Sequence, residues 1–342
     1  MGSHRRPAQP GLDRSARVSV LSAAAAAAAV ALGGAPAGAA PQDKPSETRA
    51  KVDRLYEQAE RATELYNKAD EQADKLRAQV ERAKDSVARG QERINAMRGA
   101  LGALAGAQYR AGAIDPSLAL MLSSDPDGYL ERASVLDRVS ARQAGELTDL
   151  QRAQRGLARE RAEAGRKLAE LEKSRTAVAR HKRTVEHKLA RARRLLNSLS
   201  SDEREAYKRS SRDGGRDELP EAGGAASSSR AAAAVAAARS AIGRPYVWGA
   251  NGPSGFDCSG LMQWSYAQAG VGLPRTSQAQ RYAGRQVPLS QARPGDLVAY
   301  RDDASHIGMY MGNGQVVHAP YPGAAVRYDP VGMMPVSSVT RI

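Results

Sequence analysis

A heptad repeat of apolar residues constrains the N-terminal half of this chain more than any other feature. From Val52 to Leu104, aliphatic residues and alanines recur with a period of about 3.5 residues between charged flanks. A second series with the same period runs from Leu136 to Leu199. A repeat sustained over this length is typical of a coiled coil, and its many alanines indicate closely spaced helices. We therefore predict two long helices over residues 46–200.

The segment between the two series breaks the repeat with glycines and prolines: QYRAGAIDPSLALMLSSDPDGYLERASVL. It predicts an antiparallel hairpin with a small helical tip at about residues 108–134. The side chains of Leu118, Leu120, Met121 and Leu122 are more apolar than a tip in water requires. They form either the tip's own small core or a docking surface for a partner.

The chain carries a formal net charge of +14, which favours a polyanionic partner. Only 4% of its residues are aromatic, with a single Phe, so platforms for stacking nucleic-acid bases are scarce. We expect an anionic cell-wall polymer or membrane surface rather than nucleic acid. The single cysteine excludes an internal disulfide and a cysteine-based zinc site, and we expect no metal or other cofactor. His181 and His187 lie in a basic run and are predicted to be surface residues.

The first residues have the order of a secretory signal peptide. Four arginines precede an apolar, alanine-rich run from Val18 to Leu32, and small residues follow through Ala40. The run is too short and too rich in alanine for a good membrane span. We predict a signal peptide over residues 1–40 and an extracytoplasmic, secreted, wall-associated mature protein.

Composition changes again after the second heptad series. Residues 201–230 are rich in Ser, Gly and charge without periodicity, which predicts a flexible linker. Residues 231–342 begin with a helix, AAAAVAAARSAI, and end with the strand-like runs LVAY, HIGMYMG, QVVHAP and AVRYD. One further helix packed on a small antiparallel sheet makes this an α+β domain.

That further helix begins at Cys258. The segment PYVWGANGPSGFDCSGL passes from a loop rich in Gly and Pro into a helix at this residue. A thiolate at a helix N-terminus is stabilised by unpaired N–H groups and by the helix dipole. A lone cysteine is more often a buried structural thiol, but this position favours a reactive nucleophile.

The base for this thiol is expected from the sheet, where His306 opens one strand and His318 lies in the next. A strict two-residue Asn-Gly turn would place the two imidazoles on opposite faces. One extra residue, in a three-residue loop with Gly314 in the left-handed conformation, returns them to one face in diagonal register. We predict this second geometry.

In that geometry His306 takes the proton of Cys258 while His318 bonds the other ring nitrogen and fixes the tautomer. Asp302 and Asp303 are rival candidates for orienting the base.

The segments PYVWG, GFDCSGL, LPRTS, PGDLVAY, HIGMYMGNG and VVHAP resemble the NlpC/P60 family of papain-like cysteine peptidases. The resemblance extends, in the family's order, across essentially all of residues 231–342. It implies a cell-wall hydrolase that cuts the stem peptides of peptidoglycan, usually between D-Glu and the diamino acid. It also implies Cys258 as nucleophile, His306 as base and His318 as the third polar residue.

The same resemblance implies substrate-binding roles for Tyr246, Asp257 and Ser259. The hydroxyl of Tyr246 is expected near the nucleophile, although packing beside Trp248 is an alternative role for this residue. Asp257 and Ser259 are expected to shape the substrate pocket. Ala250 stands where the family often has a second glycine.

The N-terminal half resembles the coiled-coil domains of secreted peptidoglycan hydrolases controlled by the FtsE–FtsX transporter complex. The matching features are the paired helices and the segment QYRAG…LALMLSSDPDGYLER. This resemblance implies a membrane partner of FtsX type at the tip and a role in cell division. A hairpin on a flexible tether could also cover the catalytic cleft until the partner moves it.

Together these features predict a secreted cysteine endopeptidase that cleaves the D-Glu to diaminopimelate bond through a Cys-His-His triad, restrained by its coiled coil. Two alternatives remain open. One is a cysteine-dependent acyl or amide transferase acting on another substrate. The other is a non-catalytic scaffold that binds the wall.

Overall fold

The structure is a computed structural model, and it describes residues 44–110, 118, 121–122, 128–210 and 226–342. The predicted signal peptide, Leu120 and residues 211–225 of the predicted linker lie outside the described residues. Among the described helices, none combines the length and the apolar character needed to cross a membrane.

Two long helices form the predicted antiparallel hairpin. They are α1 (Pro45–Arg110) and α2 (Tyr129–Ser198). Heptad side chains fill the seam between them, and Val52 and Val185 are fully buried there. A polar contact fixes the register, because the Ser174 hydroxyl donates to the Ala69 carbonyl over 2.9 Å. The coiled-coil half of the predicted fold is confirmed.

The seam loosens towards the tip, where Leu147 of α2 is half exposed, whereas Leu157 and Leu171 further along the helix are buried. At the tip, Leu118 is 52% exposed and Met121 and Leu122 are each 76% exposed. Within the described part of the tip, these side chains therefore form no small core of their own. A surface open to a partner is the alternative that the exposure favours.

A short helix, α3 (Ser201–Ser210), occupies the first part of the predicted linker, which corrects the expectation of a tether there. Its start is a capping box, because Ser200 and Glu203 each accept a hydrogen bond from the other's backbone N–H. Tyr207 then donates to Asp53 of α1 over 2.7 Å. Capping and this contact stabilise the helical conformation of a segment that has no apolar periodicity.

The C-terminal domain has three helices and one six-stranded antiparallel sheet among its described residues, with strand order β1-β6-β2-β3-β4-β5. The elements are α4 (Ser229–Ser240), α5 (Cys258–Gln268), α6 (Ser277–Gln280), β1 (Arg285–Val287), a 3-10 turn (Leu289–Gln291), β2 (Leu297–Tyr300), β3 (His306–Gly312), β4 (Gln315–His318), β5 (Arg327–Pro330) and β6 (Val336–Arg341). The predicted α+β class is confirmed.

Helix α5 packs against the centre of this sheet. Leu261 and Met262 on the helix and Ile307, Met309 and Val317 on the sheet have no exposed surface. Helix α4 covers α5 with its small alanine face. Because α5 is packed on both sides, its N-terminus lies against β3.

The β3–β4 hairpin differs from its prediction in where the extra residue lies. Asn313 and Gly314 form a two-residue turn, with φ of 51° and 70°. The extra residue is a bulge in β3, because the pairing shifts between Tyr310 and Gly312. A bulge shifts which side chains point to each face of the sheet, just as a longer loop would. The two histidines therefore lie on one face, as predicted, but because of a bulge in β3 and not because of a three-residue loop.

Candidate active site

The nucleophile candidate Cys258 is the first residue of α5 and is 2% exposed. Asp257 caps the helix by accepting a 2.7 Å hydrogen bond from the Gly260 N–H. Gly260 has no room for a side chain, since a Cβ there would lie 2.2 Å from the Ala250 carbonyl oxygen. The cap and this close approach hold the loop and helix in one arrangement around the cysteine.

A buried ion pair supports the cap. Asp257 accepts two hydrogen bonds from Arg275, of 2.5 and 3.0 Å, and Arg275 also donates to the Ser259 hydroxyl over 2.9 Å. Asp257 is fully buried, so an unpaired charge there would be costly. Arg275 lies within the LPRTS segment, but sequence reasoning assigned it no role.

The predicted bases form a hydrogen-bonded pair, hereafter the histidine pair. Nε2 of His306 lies 2.8 Å from Nδ1 of His318, and the rings meet edge to face at 89°. Both side chains are buried. Nε2 of His318 lies 2.7 Å from Oδ2 of Asp329 on the neighbouring strand, a contact that sequence reasoning missed.

The start of β3 lies directly beside the nucleophile. The backbone N–H of Ile307, the residue after His306, donates a hydrogen bond to the Cys258 sulfur. Nδ1 of His306 is buried and has no hydrogen-bond partner among the described residues. Of the two ring nitrogens, this is therefore the one available to take a proton.

The cleft is occupied by a side chain of the hairpin, Glu64 of α1. Its Oε1 accepts a 2.7 Å hydrogen bond from the Ser259 hydroxyl and lies 3.7 Å from the Cys258 sulfur, which donates to it. Its Oε2 accepts a 2.9 Å bond from the Ser277 N–H. The carboxylate thus lies in contact with the nucleophile.

Two further polar residues of α1 enter the site on either side of Glu64. Glu60 accepts a 2.6 Å hydrogen bond from Arg301, and its Oε2 lies 3.7 Å from Nδ1 of His306. Asn67 donates to Asp257 over 3.0 Å. We call Tyr56, Glu60, Glu64 and Asn67 the docking face of α1.

Aromatic contacts close the rim of this interface. Tyr56 stacks on Tyr321 with ring centroids 5.0 Å apart, and Tyr66 meets Trp248 edge-on at 5.2 Å. These contacts bury apolar surface around the polar centre. Together the polar and aromatic contacts fill the part of the cleft next to Cys258 with side chains of α1.

Burial and neighbouring carboxylates control ionisation in the cleft. Burial first, and then the charge of Asp257, raise the pKa of Glu64 to about 7. Burial also raises the pKa of Cys258 well above its ordinary value, and Glu64, Asp257 and Glu60 add to that rise. The docked arrangement therefore disfavours the thiolate form of Cys258.

The remaining predicted residues occupy distinct positions. Tyr246 is buried in the same core as Cys258, and burial followed by the cysteine's charge raises its pKa well above the ordinary value. Asp303 pairs with Arg61 of α1 at 2.8 Å, whereas Asp302 is exposed. The contact with the histidine pair comes from Asp329 instead. In the described part of the chain, no group of three or more His, Cys, Asp or Glu side chains could hold a metal ion.

A cysteine that begins a helix and faces a histidine pair on an antiparallel sheet defines a papain-like α+β domain. Comparison with known families agrees with this class, because the NlpC/P60 family matches residues 243–339. The chain thus carries an NlpC/P60 domain C-terminal to its helical hairpin.

Known proteins similar to this chain match the same domain. The chain is 46% identical over 104 residues to a probable endopeptidase of Corynebacterium glutamicum, covering 30% of this chain and 50% of that protein. It is 47% identical over 120 residues to the peptidoglycan endopeptidase RipA of Mycolicibacterium smegmatis, covering 30% and 24%. The solved structure of the peptidoglycan hydrolase RipB from Mycobacterium tuberculosis is 35% identical, covers 33% of this chain and 64% of that one, and has a TM-score of 0.32. The chain spans half or less of the length of the two curated relatives.

Proposed function

We propose that this chain is a secreted, wall-associated cysteine endopeptidase that cleaves peptidoglycan stem peptides between D-Glu and diaminopimelate. The observation that carries the proposal is the position of Cys258 at a helix N-terminus beside the histidine pair. The names of the similar proteins support a peptidase that acts on the cell wall.

The catalytic roles follow from the contacts. Nδ1 of His306 takes the thiol proton, and the Cys258 thiolate attacks the D-Glu carbonyl carbon. The backbone N–H of Cys258 and the Tyr246 hydroxyl stabilise the oxyanion. The His306 imidazolium then gives its proton to the departing amine, which leaves a thioester on Cys258. Water, deprotonated by His306, hydrolyses the thioester and frees the D-Glu carboxylate.

The site of Glu64 supports the choice of bond. The Ser259 hydroxyl and the Ser277 N–H bind a carboxylate in contact with the nucleophile, and Arg275 lies next to them. A D-Glu residue linked through its side chain keeps a free carboxylate near the scissile carbonyl. The substrate-binding roles proposed for Ser259 and for Asp257, which anchors Arg275, follow from this match.

The hairpin is the proposed restraint on this activity. Glu60 and Glu64 fill the space that substrate needs, so the docked chain is latent. We propose that a membrane partner of FtsX type binds the tip and moves α1. Support for that partner comes from the exposure of Leu118, Met121 and Leu122.

A digestion of purified peptidoglycan tests the function. The full chain is compared with the double variant Glu60→Arg and Glu64→Arg, which places cations against Arg301 and Arg275 and opens the cleft. We expect the double variant to release fragments ending in D-Glu, identified by mass spectrometry, and the wild-type chain to release far fewer. Adding Cys258→Ala to the double variant should abolish release.

The matched control is Glu81→Arg, since Glu81 is an exposed glutamate on the same helix. This variant should stay latent. Fragments joined to another amine would point to a transferase instead. Binding to the wall with no cysteine-dependent product from any variant would favour a scaffold.

A further inference from the structure

Asp329 contacts the histidine pair from a third strand and has no part in the steps described above. Its Oδ2 lies 2.7 Å from Nε2 of His318 and accepts a 2.6 Å hydrogen bond from Nε of Arg327. Three adjacent strands, β3, β4 and β5, therefore each supply one member of a hydrogen-bonded series. The series runs from Asp329 through His318 to His306.

The strand register produces this series. On β5, Arg327 pairs with His318 and Asp329 pairs with Val316, so Asp329 is a diagonal neighbour of His318. On the other side, His306 is also a diagonal neighbour of His318. Diagonal residues on one face lie about 7–8 Å apart, within reach of imidazole and carboxylate side chains.

Asp329 is held in its ionised form. Burial alone would raise its pKa, but the hydrogen bonds and charges of His318 and Arg327 outweigh burial and lower it. Oδ2 of Asp329 is therefore an acceptor only.

A carboxylate acceptor determines where both histidines carry their protons. Nε2 of His318 must be the N–H donor towards Asp329, so Nδ1 of a neutral His318 is bare. That bare nitrogen accepts from Nε2–H of His306, which leaves Nδ1 of a neutral His306 bare as well. Both rings are neutral at rest, because burial lowers the pKa of each.

We propose that Asp329 is a positioning residue that fixes the tautomers of both histidines and thereby leaves Nδ1 of His306 free to act as the base. When the base acts, the S–H bond of Cys258 breaks and an N–H bond forms at Nδ1. The resulting imidazolium lies two hydrogen bonds from the Asp329 carboxylate. This inference rests on the proposed role of His306.

Loss of the carboxylate would block the base. Without Asp329, His318 can carry its proton on Nδ1 and donate to Nε2 of His306. The proton of His306 then resides on Nδ1, where the thiol proton must go. In a serine protease triad, replacing the orienting aspartate by asparagine leaves the histidine in the wrong tautomer and lowers kcat by about 10⁴.

The tautomers can be measured directly in the full chain. The chain has five histidines, so selective ¹⁵N labelling gives a readable spectrum of ring nitrogens. We expect His306 and His318 to carry their protons on Nε2. In Asp329→Ala, we expect the proton of each ring to redistribute to Nδ1. A wild-type spectrum with His318 protonated on Nδ1 would overturn the proposal whether or not the variant folds.

Formate provides a rescue that a merely structural role would not show. A cavity of about 440 Å³ borders Asp329, His318, Arg327 and Tyr321, so a small carboxylate can reach the position that Asp329→Ala vacates. We expect formate, and not chloride, to restore the wild-type tautomers. Unchanged tautomers in a folded Asp329→Ala protein would contradict the proposal. The exposed Asp302→Ala is the matched control and should leave the spectrum unchanged.

Alkylation of Cys258 by iodoacetamide gives a second readout, made in the Glu60→Arg and Glu64→Arg chain so that the cleft is open. Asp329→Ala should slow alkylation at neutral pH by a factor on the order of 10², the range of general-base effects. Formate should recover most of that loss. Neither readout uses peptidoglycan, so an error in the proposed substrate leaves both results intact. An unchanged alkylation rate in Asp329→Ala would overturn this inference and would leave the proposed function untouched.

Discussion

A glutamate and a cysteine share one buried cleft, and neither has the ionisation behaviour that it would have in water. The 3.7 Å contact between Glu64 and the Cys258 sulfur makes each the other's electrostatic neighbour. A carboxylate beside the thiol disfavours the thiolate, and burial of the carboxylate favours its protonated form. At the residue scale, the proposed inhibition would therefore act on the reactivity of the Cys258 thiol as well as on access to it.

Removal of the Glu64 carboxylate should expose this effect. We expect Glu64→Ala to be alkylated at Cys258 by iodoacetamide at least about tenfold faster than wild type at pH 7.5. The thiolate is the reactive form, and a fall of one unit in the pKa of the thiol raises the thiolate fraction about tenfold, which corresponds to about 1.4 kcal/mol. Intact-mass spectrometry over time gives the rate. Glu81→Ala, which alters an exposed glutamate of the same helix, should react at the wild-type rate. Equal rates for Glu64→Ala and wild type would refute a direct effect on the thiol.

Docking of the hairpin should depend on pH through the same carboxyl and through that of Glu60, because burial raises the pKa of Glu60 to about 7 as well. The pKa of Glu64 rises from 4.5 to about 7 on burial, so the docked state binds the proton more tightly. Docking is therefore most favoured below pH 4.5 and weakens as pH rises to about 7, by up to about tenfold per pH unit. The groups facing Glu64 are Cys258, Asp257 and Arg275, and of these Arg275 stays charged throughout.

Fluorescence of Trp248 measures this transition, because Trp248 contacts Tyr66 of α1 only in the docked state. With Trp264→Phe to remove the other tryptophan, we expect a change in emission as pH rises between about 5 and 7. The double variant Glu60→Gln and Glu64→Gln, which mimics both protonated acids, should show no such change. A transition that persists in the double variant would assign the pH dependence to another group.

At the scale of elements, α1 has two buried faces with different chemistry. The heptad face is apolar and packs on α2, whereas the docking face is largely polar and packs on the catalytic domain. A helix can bury charged residues in this way only where partners are supplied, as Arg301 supplies one for Glu60. The second face supplies the polar contacts between the hairpin and the cleft.

On the sheet, close packing leaves little room for a side chain at Gly308, which lies opposite His318. A Cβ at this position would lie 3.2 Å from Cβ of His318 and 3.1 Å from the Val317 carbonyl oxygen. In the Glu60→Arg and Glu64→Arg chain, we expect Gly308→Ala to lower wall digestion about tenfold, while stability falls by only about 1–3 kcal/mol.

Rates of product release and thermal melting separate these two effects. Gly332→Ala is the matched control, since a Cβ there meets no atom within 4 Å. Loss of activity in proportion to loss of folded protein would mean that Gly308 serves packing alone.

Much of this architecture was predictable because its signals are local. The heptads specify α1 and α2, and the loop-to-helix junction identifies Cys258 without reference to distant residues. Strands β1 and β6 escaped prediction because one is three residues long and the other alternates weakly. Asp329 joins the histidine pair only through pairing of β4 with β5, which depends on the folded sheet.

The docking face could not be predicted from the sequence, for a different physical reason. Hydrophobic periodicity reports burial only where buried residues are apolar. Glu60, Glu64 and Asn67 occupy positions outside the heptad seam, and their chemistry is that of solvent-facing residues. Their burial depends on polar groups of a domain that follows much later in the chain.

At the scale of the whole molecule, the hairpin seam and the closed cleft depend on each other. Val52, Leu55 and Val185 lie in one apolar cluster that also reaches Trp248 and Tyr321 of the catalytic domain. Side chains of α2 therefore share one apolar cluster with α1 and with the rim of the catalytic domain.

A seam variant should consequently activate the enzyme from a distance. We expect Val185→Asp, which buries an unpaired charge at a cost of several kcal/mol, to loosen the hairpin and release fragments from peptidoglycan. Leu147→Asp on the same helix alters a side chain that is 51% exposed and should remain latent. If Leu147→Asp digested peptidoglycan as fast as Val185→Asp, the integrity of the seam would not be what controls inhibition.

The position of Glu64 along a single continuous helix has a mechanical consequence. At 1.5 Å per residue, Glu64 lies about 30 Å from the start of α1 at Pro45, and Arg110 near the tip lies roughly 100 Å from that start. If α1 pivots at its start, a sideways shift of about 10 Å at the tip moves Glu64 by about 3 Å, enough to break its 2.7 Å hydrogen bond. Under the proposed regulation, α1 would act as a lever that converts a large displacement at the tip into a displacement about one third as long at Cys258.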